Sequence, residues 1–107
     1  MNFVQVAIPS PLRQTFTYIN KANEDLLGKR VLVEFGRRKI IGVVVSDSDT
    51  FDGDYKLKNI IEVLDERPLF SNKLLKKIIS ISENYMHPLG IVIESFIPTF
   101  LRKAKPQ

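Results

Sequence analysis

The sequence predicts a mainly β, α+β domain, and two features of the chain support this fold class. Short β-prone runs separated by turn residues fill the first part of the chain, and the only long amphipathic helical pattern follows them. Strands in succession followed by a helix are typical of a small curled sheet or barrel with an appended helix. We therefore expect an OB-like or SH3-like sheet or barrel of about five to six strands with one longer helix near residues 71–86.

Five segments carry the strand pattern, and each is bounded by proline, glycine or a polar stretch. They are residues 2–8, 15–19, 30–35, 40–45 and 59–64. Apolar residues alternate with others from Arg30 to Phe35, which indicates a half-buried strand. Gly36 and the basic residues after it then predict a hairpin with a positively charged tip. We predict loops between the other strands, at residues 20–27 and 46–55.

The helical pattern begins after Ser71, a plausible N-cap. Phe70 and Leu75 have the spacing of a hydrophobic staple. An apolar stripe with a period of 3.6 residues runs along one face of the helix: Leu74, Ile78, Ile81 and Tyr85.

Pro88 and Gly90 are predicted to stop the helix, and His87 is expected to act as a C-terminal cap favourable to the helix dipole. The apolar run at residues 91–96 fits either a helix or a strand.

Length and composition place limits on the function. The 107 residues suffice for one domain, and no apolar run reaches the roughly 18 residues of a membrane span. The N-terminus has no signal-peptide pattern and the chain has no cysteine, so we expect a cytoplasmic protein. The net charge of +4 favours an anionic partner.

Known catalytic and metal-binding patterns are missing from the sequence. The single histidine, His87, cannot form a common zinc site without cysteine or a second histidine. No phosphate-binding glycine loop is present. The acidic stretch from Asp47 to Asp54 does not fit the calcium-loop pattern, so we interpret it as a solvated loop. We expect no enzymatic activity, no metal and no cofactor in this segment.

The segment from Pro9 to Tyr18 is the strongest candidate for a binding site. Its two prolines stiffen the chain, and alternation then puts Phe16 and Tyr18 on one face and Thr17 on the other. Such an aromatic pair could form a platform on which a nucleic-acid base stacks. It could equally be part of a small β core, and the residues alone leave both interpretations open.

The basic hairpin tip is the second candidate. Arg37, Arg38 and Lys39 are candidate phosphate contacts, or they are charges that discourage edge-to-edge strand pairing. The sequence favours neither.

An ordered set of short sequence matches runs nearly the whole length of the chain. They are Val6-Ala7-Ile8-Pro9, Pro11-Leu12, Thr15-Phe16-Thr17-Tyr18, Gly28, Arg30-Val31, Val33, Phe35-Gly36, Ile41-Gly42-Val43-Val44, Lys58, Ile61-Glu62-Val63-Leu64-Asp65, Pro68, Tyr85, Pro88-Leu89-Gly90, Pro98 and Leu101-Arg102. Through them the chain resembles the N-terminal domain of the bacterial replication-restart helicases of the PriA family, also called primosomal protein N′.

The resemblance implies a non-catalytic domain related to OB folds, spanning residues 1–105, that binds the 3′-terminal nucleotide of the nascent leading strand at a stalled fork. Residues 103–107 would begin a linker to an absent helicase part. By position, the 3′-end pocket would use these residues, with Tyr18 as a supporting neighbour: Phe16, Thr17, Gly36 and Lys58. The implied partners are forked or single-stranded DNA, the rest of the helicase chain, other primosome proteins and single-stranded-DNA-binding protein. The implied location is the nucleoid.

One position departs from the family pattern, because family members often have aspartate where this chain has Thr17. A hydroxyl can still donate or accept a hydrogen bond, but it lacks the charge that repels a phosphate. From Thr17 we expect weaker discrimination between a 3′-hydroxyl and a 3′-phosphate than in an aspartate-bearing relative. Two other functions stay open: a protein-interaction domain, and a general single-stranded nucleic-acid binder of OB type.

Overall fold

The computed structural model describes residues 2–10, 14–21, 24–51, 53 and 56–97. In these residues a five-stranded antiparallel sheet packs against two helices. The elements are β1 (Asn2–Ala7), β2 (Phe16–Asn20), β3 (Arg30–Phe35), β4 (Arg38–Ser48), β5 (Glu62–Val63), α1 (Asn72–Tyr85) and α2 (Leu89–Ser95). The predicted α+β class is confirmed, and of the two predicted forms the sheet is the open one, not a closed barrel.

The strand order is β2-β1-β4-β3-β5, so β2 and β5 are the two edge strands. The segment just before β5 nevertheless bonds to β2. The Ile19 N–H donates to the carbonyl of Lys58 (2.9 Å), and the Ile60 N–H donates to the carbonyl of Ile19 (3.2 Å). One residue later, the Ile61 N–H donates to the carbonyl of Leu32 on β3 (2.9 Å). Because one short segment bonds to both β2 and β3, the sheet must curl until these strands approach each other.

Two apolar clusters lie on opposite faces of the sheet. β1 supplies both, because its side chains alternate between the faces. The first cluster, inside the curl, consists of Val4, Val6, Ile8, Tyr18, Leu26, Val31, Val33 and Val44. The second joins the sheet to the helices and consists of Ala7, Val43, Phe70, Leu75, Ile78, Ile93 and Ile97.

The strand predictions are accurate where local alternation is strong and fail where pairing depends on distant segments. β3 has the predicted bounds, and β1 and β2 differ from theirs by one residue. The predicted loop at residues 46–55 is wrong at its start, because Ser46, Asp47 and Ser48 extend β4 by pairing with β1. The predicted strand at residues 59–64 is reduced to two residues, Glu62 and Val63, because the residues before them pair with β2.

The predicted start of the long helix is confirmed. The Ser71 hydroxyl accepts a hydrogen bond from the Leu74 N–H (3.1 Å), and Phe70 and Leu75 are buried in the same cluster. The apolar stripe is not the buried face of α1, however. The buried residues are Leu75, Ile78 and Ser82, whereas three members of the stripe are exposed, namely Leu74, Ile81 and Tyr85.

The end of α1 is closed by backbone groups. Met86 adopts a left-handed conformation (φ 56°), and the N–H groups of Met86 and His87 donate to the Ser82 carbonyl. His87 thus takes part in the cap through its main chain. In the part of the chain that the structure covers, no helix is long and apolar enough to cross a membrane.

The ambiguous run at residues 91–96 is helical and belongs to α2, which begins after Pro88. Contrary to the prediction, Gly90 does not stop a helix. It lies within α2. A Cβ atom there would lie 1.7 Å from the carbonyl oxygen of Ile8, so glycine lets α2 pack directly against the chain after β1. Pro11, Asp52, Asp54 and the predicted linker at 103–107 lie outside the described residues.

Candidate nucleic-acid interface

A cleft of about 330 Å³ lies where three separate segments of the chain meet. The segments are the start of β2, the β3–β4 hairpin and the extended chain before β5. The lining residues are Gln14, Phe16, Thr17, Tyr18, Glu34, Phe35, Gly36, Lys56, Leu57 and Lys58. All five residues that the sequence predicted for the 3′-end site line this one cleft; their role in DNA binding stays a prediction.

Two aromatic rings form one wall of the cleft. The centroids of Phe16 and Phe35 are 4.8 Å apart with an interplanar angle of 65°, an edge-to-face contact. Both rings are partly buried and pack against the inner cluster of the sheet. Phe16 therefore combines the two interpretations of the sequence, since it contributes to the core and also lines the cleft.

Tyr18 is buried in the inner cluster, against which the two rings of this wall pack. Its hydroxyl donates to the backbone carbonyl of Glu34 (2.8 Å), which ties β2 to the end of β3. Tyr18 thus positions the cleft and offers little surface of its own, as expected for a supporting neighbour.

Thr17 lies on the opposite face of β2, as the alternation predicts. Its Oγ1 accepts a hydrogen bond from the Nε2 of Gln5 on β1 (2.7 Å). The Oε1 of Gln5 in turn accepts a hydrogen bond from the Thr15 hydroxyl (2.9 Å). Since a hydroxyl is both donor and acceptor, Thr17 can still donate its own proton to a ligand.

Gly36 forms the tip of the β3–β4 hairpin. Phe35 pairs with Arg38, which leaves Gly36 and Arg37 as a two-residue loop. Of these two, only Gly36 has a positive φ (+64°), the pattern of a type II′ turn, in which glycine is favoured at the first position. Among the described residues other than its two chain neighbours, no atom lies within 4 Å of the place where its Cβ would be, so a ligand can approach the backbone closely from that side.

Lys58 and Glu34 form an ion pair in the cleft. The Lys58 Nζ lies 2.9 Å from the Glu34 Oε1 and 3.4 Å from the Gly36 carbonyl oxygen, and both charged side chains are about half exposed. The hydrogen bond from Lys58 and its positive charge lower the pKa of Glu34. Lys39 lowers this pKa further, and partial desolvation opposes the shift. The cleft therefore contains an ionised carboxylate and an ammonium group in contact.

The basic hairpin tip lies next to the cleft. Arg37, Arg38 and Lys39 are all exposed. β3 and β4 each have neighbours on both sides in the sheet. The pairing with β1 begins only at Val43 of β4, and the pairing with β5 ends at Leu32 of β3, so neither outer strand reaches the hairpin tip. Protection of a strand edge and contact with phosphates therefore both stay open for this cluster of charge. The position beside Gly36 suits contacts with phosphates.

Sequence reasoning missed the other members of the cleft, of which Glu34 and Lys56 are charged. Lys56 had a usable signal, because residues two apart in an extended chain point to the same side and Lys58 was already a candidate. Glu34 had none beyond its exposed position on β3, since its contact with Lys58 depends on the curl of the sheet. Within the described ranges, no three histidine, aspartate or glutamate side chains cluster as metal ligands would.

Known proteins match the chain along nearly its whole length. A family model for the 3′ DNA-binding domain (3′BD) of PriA matches residues 5–98. Three relatives named replication restart protein PriA are 36%, 33% and 31% identical to the chain; they come from Buchnera aphidicola subsp. Acyrthosiphon pisum, Haemophilus influenzae and Treponema pallidum. These alignments cover 94%, 98% and 94% of the chain but only 14%, 15% and 17% of the relatives, so the chain spans a small part of their length.

Proposed function

The chain belongs to the family of PriA 3′ DNA-binding domains, a non-catalytic module of a replication restart protein, and on this premise we propose that it captures the 3′-terminal nucleotide of a DNA strand. In a cell that strand would be the nascent leading strand at a stalled replication fork. By holding its end, the domain would orient the helicase to which it is attached. Other primosome proteins and single-stranded-DNA-binding protein are further proposed partners.

The observation that carries the proposal is the convergence of Phe16, Gly36 and Lys58 from three segments on one cleft. Pockets for small ligands occupy about 300–1,000 Å³. A cleft of about 330 Å³ lies at the lower end of this range and suits one nucleotide better than a run of them.

Each residue has a chemical role that does not depend on the identity of the base. Phe16 offers an aromatic surface, and every base has a face that can stack. Gly36 exposes backbone groups to a ligand, and Lys58 offers a positive charge to a phosphate. Arg37, Arg38 and Lys39 would contact the phosphates of the preceding nucleotides. Capture without base selectivity follows from this combination.

The direct test compares the 107-residue chain on a linear oligonucleotide with a free 3′-hydroxyl and on the same sequence closed into a circle. We expect clear binding to the linear strand and much weaker binding to the circle. Equal affinity for the two would refute end capture and favour a general single-strand binder. No binding to either would favour a protein-interaction domain.

Substitution of Phe16 tests the site itself. Stacking contributes about 1–3 kcal/mol per base, so Phe16→Leu should weaken binding of the linear strand by about 5- to 150-fold. Leucine keeps the apolar packing against Phe35 but removes the aromatic face. The matched control is Phe96→Leu, because Phe96 is a half-exposed ring at the C-cap of α2 and is not among the residues that line the cleft. Equal effects of the two changes would place the pocket elsewhere.

The salt dependence of binding distinguishes capture of one terminal nucleotide from general single-strand binding. Affinity for a single strand falls with salt with a slope of about −0.7 per phosphate contacted. Capture of one terminal nucleotide predicts a shallow slope, whereas a groove that follows the backbone predicts a steep one.

A further inference from the structure

Glu34 is the one carboxylate among the described residues that line the cleft. It lies on β3 two residues before Gly36, on the exposed side of the strand. Its backbone carbonyl is held by the Tyr18 hydroxyl (2.8 Å) and its side chain by Lys58 (2.9 Å). The position of this negative charge is therefore fixed from two directions.

The charge lies beside the groups that would receive the end of a strand. Lys58 also contacts the Gly36 carbonyl, so the carboxylate, the ammonium group and the hairpin turn meet at one point of the cleft. A nucleotide phosphate that reached Lys58 would have to approach Glu34 as well. An ionised carboxylate only accepts hydrogen bonds, so it favours a ligand group that can donate one.

We propose that Glu34 is the residue that makes this cleft select a 3′-hydroxyl end over a 3′-phosphate end. A 3′-hydroxyl can donate a charge-assisted hydrogen bond to the carboxylate. A terminal phosphate carries about −1.5 to −2 charges near pH 7 and would be repelled. This inference rests on the proposed function, because it concerns the same cleft and the same ligand.

Thr17 cannot supply this selection by itself. Its side chain is neutral, and its oxygen already accepts a hydrogen bond from Gln5. The expectation of weaker discrimination than in an aspartate-bearing relative concerns Thr17 alone. Glu34 adds a negative charge to the same cleft from a different strand, and a clear preference for the hydroxyl end follows.

The ion pair complicates the measurement in a predictable way. Removing the charge of Glu34 also frees Lys58, which should strengthen the binding of any phosphate-bearing strand. This release of Lys58 acts on both ends alike, whereas loss of the carboxylate acts on them differently. The informative quantity is the ratio of the dissociation constants for the 3′-phosphate and the 3′-hydroxyl oligonucleotide.

The experiment titrates the 107-residue chain with two oligothymidylates that differ only in a 3′-hydroxyl or a 3′-phosphate, and with a circular oligothymidylate. The proteins are the wild type, Glu34→Gln and the control Glu83→Gln, which removes one exposed carboxylate from α1. Glutamine keeps the shape of the side chain, and Glu34 is exposed, so the variant should fold. We expect the ratio to fall roughly tenfold in Glu34→Gln, the scale of one charge-assisted hydrogen bond, and to be unchanged in Glu83→Gln.

Three outcomes would overturn the inference. If Glu34→Gln binds both ends more tightly with an unchanged ratio, Glu34 only masks Lys58. If the wild type binds both linear ends equally but not the circle, end capture stands and selection by Glu34 does not. If the wild type does not distinguish linear from circular DNA, the proposed function and this inference fall together.

Discussion

The hydroxyl of Tyr18 donates a 2.8 Å hydrogen bond to the backbone carbonyl of Glu34. The two residues lie on β2 and β3, which are separated in the sheet by β1 and β4. The bond therefore crosses the inside of the curl instead of following a strand pair. It joins the strand that carries Phe16 to the strand that leads into Gly36, and so it fixes the distance between two walls of the cleft.

Tyr18→Phe should widen the cleft without emptying the core. The change removes one hydrogen bond and leaves a carbonyl without this donor, which should lower the free energy of unfolding by about 1–2 kcal/mol. Affinity for a 3′ end should fall as well, because the hairpin turn is held less firmly against β2. Urea denaturation and oligonucleotide titration measure the two effects.

The control is Tyr85→Phe, which removes a hydroxyl from an exposed ring on α1. It should change neither stability nor binding. Full binding by Tyr18→Phe at reduced stability would show that the bond serves the fold alone.

A second long-range contact joins β3 to the chain after β5. The guanidinium of Arg30 makes two short contacts with Asp65, from Nη2 to Oδ1 (2.7 Å) and from Nε to Oδ2 (3.0 Å). The backbone N–H of Arg30 also donates to Oδ2 (2.9 Å). Both side chains are nearly buried, with exposed fractions of 11% and 13%. The pair thus locks the start of β3 to the chain that follows β5.

Asp65→Ala should be among the most destabilising single changes in the chain. Removing one partner of a buried ion pair costs about 3–5 kcal/mol. We expect a loss of this order in the free energy of unfolding, measured by urea denaturation monitored by circular dichroism.

Glu83→Ala is the comparison for Asp65→Ala. Glu83 is an exposed carboxylate on α1, and surface substitutions of this kind usually change the free energy of unfolding by about 0.5 kcal/mol or less. A loss for Asp65→Ala as small as that for Glu83→Ala would contradict a structural role for the Arg30 pair.

The ion pair in the cleft predicts a pH dependence of stability. Lys58 lowers the pKa of Glu34 in the folded state. A carboxyl whose folded pKa lies below its unfolded pKa stabilises the fold above the unfolded value, and this contribution is lost as the pH falls through the folded value. Wild type and Glu34→Gln should therefore differ in Tm near pH 7 and converge in acid, below the usual range of a glutamate pKa.

The difference should be modest, because both partners are about half exposed, and it should shrink in high salt, which screens exposed charges. Thermal unfolding at several pH values and two salt concentrations tests this. A difference between the proteins that persists unchanged in acid would show that the carboxylate is not the source of the effect.

Local pattern was enough to predict a large part of this structure. Alternation located β3, proline and polar residues bounded β1 and β2, and Ser71 marked the start of α1. These features depend on residues close by in the sequence. The positive φ in the hairpin turn favours glycine at position 36, and the Ser71 hydroxyl accepts a hydrogen bond from an N–H only three residues later.

The predictions that failed depend on distant partners. β4 is longer than predicted because β1 pairs with its last residues. β5 is shorter because the residues before it pair with β2. Gly90 is needed because α2 packs against the carbonyl of Ile8. The apolar stripe of α1 has a helical period, but the face that packs against α2 and into the second apolar cluster is a neighbouring one, which contains Leu75 and Ile78.

The same division holds for the candidate site. The sequence by itself determined the α+β class, the opposite directions of Phe16 and Thr17, and a basic hairpin with glycine at its tip, because turns and strand alternation follow from short-range sterics. Only the tertiary structure decided that Glu34 and Lys58 form an ion pair in one cleft. They are separated by 24 positions in the chain, and the curl of the sheet brings them together through backbone hydrogen bonds, which carry no side-chain signal in the sequence.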